Sequence, residues 1–287
     1  MSDQTTLPSA NTGAEEEEES NLSPEEGWHV LHLFFHVEQS QWQILDQSEK
    51  IAAETRLTEL IHEIRSHPDT QLLVFSMVTS KADIGFMLLT PDLHDANIFE
   101  KKLARSLGAD VLTPSYSYLS MTERSEYTTS EDEYSEGLEK RGIKAGTDEH
   151  KEEIVKFHQH IEKYTQDRLY PNMPDWPVFC FYPMSKRRGV EGQNWYATEF
   201  EDRKKLMKGH AAIGRTWAGK IRQLITGSVG LDEYEWGVTL FANDTIQIKG
   251  IVYEMRFDEV SSQYAEFGDF YIGIQAPLDQ VFHRCLG

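Results

Sequence analysis

The chain has 287 residues, 39% of them hydrophobic and 11% aromatic, with 48 acidic and 28 basic side chains and a formal net charge of −20. That length supports one large domain or two of average size, each with a core that needs no disulfides. The charge argues against a nucleic-acid binder, two cysteines are too few for a disulfide framework or a cysteine zinc site, and no apolar run approaches the ~20 residues of a membrane-spanning helix.

The opening MSDQTTLPSA has neither the basic nor the apolar region of a secretory signal, so a reducing cytoplasm is the expected location. Residues 1–26 hold eight acidic side chains and no basic one, and read as a disordered, solvated acidic arm. The texture changes at Gly27. Residues 28–37 (WHVLHLFFHV) are dense in β-branched and aromatic residues and predict a strand. Between 41 and 66 the apolar positions, among them Trp42, Leu57, Ile61 and Ile64, recur at helical spacing. Strands are predicted over 71–78 and 82–90, a helix capped by Asp92 runs to about Leu107, and 111–121 is a further strand. The order β-α-β-β-α-β is a ferredoxin-like module, 27–124.

Residues 125–176 differ: a polar, turn-rich stretch to about 150 is followed by a helix that ends before Pro171. A connecting segment of that length is usually functional. From 177 to 287 the pattern repeats. Strands are predicted over 178–186, 220–228, 235–243 and 269–275, a charged helix over 199–212, and a mostly helical stretch over 244–267. The fold expected is α+β, two βαββαβ modules whose sheets pack together with helices outside.

Two motifs mislead. His29, His32 and His36 would share a face on a helix, but on a strand His29 points away from the other two, so they do not form one metal site. Residues 214–220 (GRTWAGK) fit G-x-x-x-x-G-K, yet Ile221 stands where a phosphate-binding loop needs Ser or Thr, and a charged helix precedes it in place of a strand.

The informative segment is 182–188, YPMSKRR. On an extended strand Tyr182, Met184 and Lys186 share one face, and the basic cluster inverts the local charge of an acidic protein. Such a face suits an aromatic ligand with acidic substituents, although an edge strand ending in solvated cations would read the same way. His210 follows at a predicted helix end, beside the small residues Ala211, Ala212 and Gly214, which would let a flat ligand approach. Gly214 and Gly219 permit a chain reversal that would set His210 and Gln223 on opposite faces of a planar macrocycle. The alternative is a helix-terminal histidine at the negative end of the dipole and a surface glutamine.

Read in order, WHVLHLF (28–34), ADIGFMLL (82–89), PSYSYLSM (114–121), YPMSKRR with NWY (194–196), HAAIGRTWAGKIRQLITGSVGLDEYEWGVTLF (210–241) and YEMRFDEVSSQYAEFGDFYIG (253–273) resemble the coproheme decarboxylase branch of the chlorite dismutase superfamily. The resemblance covers about residues 27–287. It implies a dimeric α+β barrel, a homopentamer, and oxidative decarboxylation of two propionates of iron coproporphyrin III (coproheme) to vinyls by hydrogen peroxide, yielding heme b. Coproporphyrin ferrochelatase is an implied partner. Carried over by motif, His210 is the iron ligand, Tyr182 the radical-relay tyrosine, Lys186 the lysine beside the reacting propionate and Gln223 the distal glutamine. Arg168, Met184, Arg215 and Ser261 contact propionates or line the pocket, with Arg168 and Ser261 placed by spacing, while Trp195 and Trp236 are structural. Chlorite-decomposing relatives carry a distal arginine where Gln223 stands, which argues against chlorite dismutation. The alternative reading is a heme-binding peroxidase-like or heme-storage protein without decarboxylase activity.

Overall fold

A computed structural model of the protein describes residues 22–189 and 192–287; most of the expected acidic arm, residues 1–21, lies outside the described residues. Residues 22–26 are described, and there Glu26 forms an ion pair with Arg124.

The first module runs β1 (His29–Val37), α1 (Gln39–Ile44), α2 (Gln47–Ser66), β2 (Gln71–Met77), β3 (Ile84–Thr90), α3 (Leu93–Arg105) and β4 (Leu112–Met121). Asp92 caps α3, accepting from His94 N. The single helix expected over 41–66 is two. Leu45 is extended, and Asp46 restarts the helix through a reciprocal capping box with Glu49, so a strong local cap overrides a continuous apolar period.

The connecting segment departs further from expectation. Its polar half contains α4 (Glu131–Lys140), started by a capping box between Ser130 and Glu133, and α5 (Asp148–Leu169) begins earlier than its apolar period suggested, at Thr147. Acidic first turns favour both helix N-termini, a signal that apolar periodicity does not register.

The second module comprises β5 (Val178–Lys186), α6 (Phe200–Thr216), β6 (Ile221–Gly227), β7 (Trp236–Ala242), α7 (Thr245–Met255), α8 (Glu259–Tyr264), β8 (Ala265–Phe267), β9 (Tyr271–Gln275) and α9 (Leu278–Leu286). Three differences matter. Helix α6 passes through Gly214, and the reversal falls instead at 217–220, where Gly219 takes φ +80°. The stretch 244–267 is α7, α8 and the strand β8, split where Asp258 caps α8. Helix α9, absent from the sequence reading, buries Val281, Phe282, Cys285 and Leu286 against the helical layer of the first module, and Trp42 Nε1 donates to Leu286 O at 2.6 Å.

The sheets do not merely pack together. They form one sheet in the order β7-β6-β4-β1-β3-β2-β9-β5-β8, and a further β5–β7 pairing closes eight strands into an antiparallel barrel, which leaves no open edge among them. The modules join through β2–β9 and β4–β6. Strand alternation then sorts the side chains. Phe34, Phe75, Tyr118, Phe179, Phe181 and Phe241 meet in one buried cluster inside the barrel. Leu57, Ile61, Ile64, Phe86 and Phe99 pack outside it, between α2, α3 and the first sheet.

Of the three N-terminal histidines, His29 Nδ1 lies 3.0 Å from Pro91 O, His36 pairs with Asp83, and His32 is fully buried, stacked on Phe181 with Nε2 2.8 Å from Thr239 Oγ1. Among the described residues no group of three or more His, Cys, Asp or Glu side chains could hold a metal ion. Burial pulls the pKa of His32 down to about 3. The unfolded chain therefore binds a proton that the folded chain refuses between about pH 6.5 and 3, so stability falls as pH drops through that window. The unfolding free energy of the wild type is expected to fall more steeply between pH 7 and 5 than that of His32→Gln, by about 2 kcal/mol at pH 5, as read from denaturant titrations. Parallel curves would exclude His32 as the source.

Candidate functional site

The outer face of the second module is laid out by strand register. Tyr182 on β5 pairs with Val238 on β7, which pairs with Ile225 on β6. One row along, Cys180, Leu240 and Gln223 align, and on the other side Met184 meets Trp236. Directly opposed residues share a face, so Tyr182, Met184 and Gln223 lie on one surface with Lys186 further along β5. Across two strand spacings and one row, Tyr182 and Gln223 stand about 12 Å apart at their backbones.

Tyr182 is buried, with its ring stacked on Phe270 at 4.3 Å. Burial pushes the phenol pKa well up, opposed only by the nearby charge of Arg256, so the group stays protonated. Lys186 Nζ sits 4.6 Å above the Trp195 ring. Burial pulls its pKa down to about 8, while the Asp258 and Glu235 carboxylates oppose the shift.

His210 does not end its helix. It lies in the interior of α6, so the helix-terminus reading fails, and its Nδ1 donates to Asp258 Oδ2 at 3.0 Å. The same carboxylate caps α8 through its other oxygen, accepting from Val260 N at 2.8 Å and Ser261 N at 3.4 Å. Burial pushes Asp258 up, but hydrogen bonds from His210 and Ser261 outweigh it and hold the carboxyl below its ordinary value. With Nδ1 engaged, Nε2 is the ring nitrogen left to ligate, the arrangement in which a carboxylate orients a metal-binding imidazole.

Asp258 thus holds His210 and Ser261 directly and acts on Lys186 through its charge. Arg168, in the last turn of α5, donates from Nε to Glu123 O at 3.0 Å, and its charge acts on the Glu123 carboxyl, which also takes a hydrogen bond from Trp236 beside Met184. Burial raises that carboxyl. Arg168 therefore approaches the Met184 end of the face through Glu123. Arg215 is not gathered with the others: it is exposed, about 140° around α6 from His210. Gln223 is exposed on β6.

Sequence reasoning missed Asp258 and Glu235. The latter is buried and accepts from Lys186 N at 2.8 Å. Asp258 has a legible signal, an Asp before Glu-Val-Ser that reads as a helix cap, hidden because the period over 244–267 predicts a mostly helical stretch.

Residues 49–276 match the family model described as chlorite dismutase. The chain belongs to the chlorite dismutase family. Among solved structures, a heme-binding protein from Thermus thermophilus is 34% identical, with 91% of this chain and 96% of that one covered and a TM-score of 0.75. A chlorite dismutase variant from Candidatus Nitrospira defluvii is 15% identical, over 92% of this chain and 97% of that one, with a TM-score of 0.69. The second likeness is one of fold. It agrees with the chlorite dismutase-like arrangement of ferredoxin-like modules described above, and no described helix is long and apolar enough to cross a membrane.

Because the Asp258 charge supports the ammonium, Asp258→Asn, which keeps a capping oxygen, should move the Lys186 titration further below about 8. NMR titration of labelled lysine checks this, and an unmoved midpoint would separate the two groups.

Proposed function

We propose that this member of the chlorite dismutase family binds iron coproporphyrin III as substrate and decarboxylates two of its propionates to vinyls with hydrogen peroxide, forming heme b. The observation that carries the reading is the Asp258 cluster, which holds one nitrogen of His210 and leaves the other free, next to a cation and a face bearing a protonated phenol. The donor set fits the ligand. A neutral imidazole oriented by a carboxylate is a common iron ligand, and cations are needed for a macrocycle carrying four carboxylates.

In this reading His210 Nε2 ligates the iron, Lys186, Arg168 and Ser261 face propionates, and Met184 and Gln223 line the pocket. Arg215 is the remaining candidate for a propionate and would have to reach it from the exposed end of α6. Bound coproheme supplies the redox chemistry that activates peroxide. Each turnover converts one propionic acid and one hydrogen peroxide into a vinyl, carbon dioxide and two waters. Tyr182 relays a hydrogen atom: its phenol gives one up and regains one from the propionate side chain. Burial serves this role because it keeps the O–H bond intact at neutral pH. Phenylalanine would pack equally well on Phe270 but has no hydrogen atom to relay. Lys186 holds the propionate near Tyr182, and a bound carboxylate strengthens its protonation.

The proposal extends to a cytoplasmic homopentamer with coproporphyrin ferrochelatase as the partner that supplies substrate. The heme-binding relative from Thermus thermophilus supports heme binding, which is compatible both with this reading and with the alternative of a peroxidase-like or heme-storage protein without decarboxylation, and one variant separates the two. Tyr182→Phe should retain coproheme binding and lose heme b formation by at least about 100-fold, or about 2.7 kcal/mol in the barrier, followed by mass spectrometry of successive carboxyl losses. Normal heme b formation by that variant would overturn the relay, and wild-type protein that binds coproheme without ever losing carboxyl groups would favour the binding protein. Lys186 gives a second check. As it deprotonates above about pH 8, wild-type affinity for coproheme should decline, and Lys186→Met should bind more weakly throughout with that decline absent.

A further inference from the structure

Helix α6 carries His210 yet buries no residue completely. Its apolar side chains Leu206 and Met207 pack on Trp195, Val260 and Tyr264, His210 is held by Asp258, and further polar support comes from the connecting segment. Lys204 Nζ donates to Glu133 Oε2 at 2.7 Å. Arg203 donates from Nε to the Tyr127 hydroxyl at 3.2 Å and from Nη2 to Glu126 Oε1 at 3.3 Å. Both cations are largely covered, with side-chain exposures of 19% and 21%. Glu133 is fixed from behind because it also closes the capping box of α4, and the Lys204 hydrogen bond holds its carboxyl below the ordinary value.

The contacts continue inward. The Tyr127 ring lies edge-on to Trp195 at 6.3 Å, and Trp195 is the ring beneath Lys186. One short stretch therefore touches both the helix that carries the imidazole and the aromatic seat of the ammonium. The charges at the contact are complementary, since Arg203 and Lys204 of α6 meet Glu126 and Glu133.

We propose that residues 126–133 are an electrostatic clasp that sets the position of His210 and of the Trp195–Lys186 pair, with Tyr127, Arg203 and Lys204 as positioning residues. This rests on the assignment of His210 and Lys186 to the ligand site. Its physical signature is salt: partly exposed ion pairs weaken as the screening length falls from about 10 Å at 0.1 M to about 3 Å at 1 M.

The test uses full-length wild type, Arg203→Gln/Lys204→Met, and the conservative Lys204→Arg. Deuterium exchange of residues 200–216 is measured in the ligand-free protein, and hemin loss to apomyoglobin in the loaded protein, each at low and high salt. The double variant should exchange about tenfold faster in α6 and lose hemin faster at low salt, the loss of two pairs of modest worth. High salt should bring the wild type toward the double variant and leave the latter nearly unchanged, while Lys204→Arg should behave as wild type. An α6 that exchanges equally in all three proteins overturns the clasp, and so does an acceleration shared by the barrel strands. Wild-type protein that takes up no hemin would instead overturn the ligand reading, and α6 exchange would still decide the clasp.

Discussion

The alternation of side chains along β5 is the constraint on which the rest of the molecule depends. Phe179 and Phe181 point into the barrel, where they stack with Phe75 and His32, while Cys180, Tyr182, Met184 and Lys186 point out. The same strand pairs with β7 to close the barrel and with β9 beside the first module. A slip of one residue would carry the aromatic plug outside and Tyr182 and Lys186 into an apolar interior. Register, core and candidate site are therefore fixed by one set of backbone hydrogen bonds.

On the outer face Asp258 has a comparable role at smaller scale. One oxygen starts a short helix and the other orients an imidazole, so the position of His210 is tied to where α8 begins. Its charge also supports the ammonium of Lys186, which burial alone would discharge more readily. A protein of net charge −20 thus uses an acid to organise cations for the anionic ligand proposed above.

Much of the architecture was legible because it follows from periodicity. The strands over 71–77, 84–90, 112–121 and 178–186 and the α3 cap at Asp92 are local properties of the chain. Barrel closure was legible only through the family resemblance and not through periodicity, since the β5–β7 and β2–β9 pairings join residues far apart in sequence and depend on how two modules meet. Helix α4 was hidden by its charge: its start rests on a capping box and an acidic first turn, Leu138 is its one buried residue, and its packing is a long-range one, Tyr134 on Phe157 and Ser135 against His150 of α5. At the site, the shared face of Tyr182, Met184 and Lys186 followed from a period of two, His210 was singled out by its small-residue surroundings, and Gln223 by the chain reversal that glycine permits between them. An apolar period that ends near residue 212 puts His210 at a helix terminus, and the mostly helical period over 244–267 conceals the acid that holds it.

The two apolar layers of the second module touch different sides of one sheet and share few side chains. The ring-filled interior supplies cohesion, and the outer layer beneath α7 supplies the walls of the proposed pocket. Substitutions on the outer side leave the interior stack in place and should combine with interior ones nearly additively. A barrel built this way lets natural variation rework reactivity on its flank without endangering its ability to fold, so related chains can diverge widely in chemistry while their backbones stay superimposable.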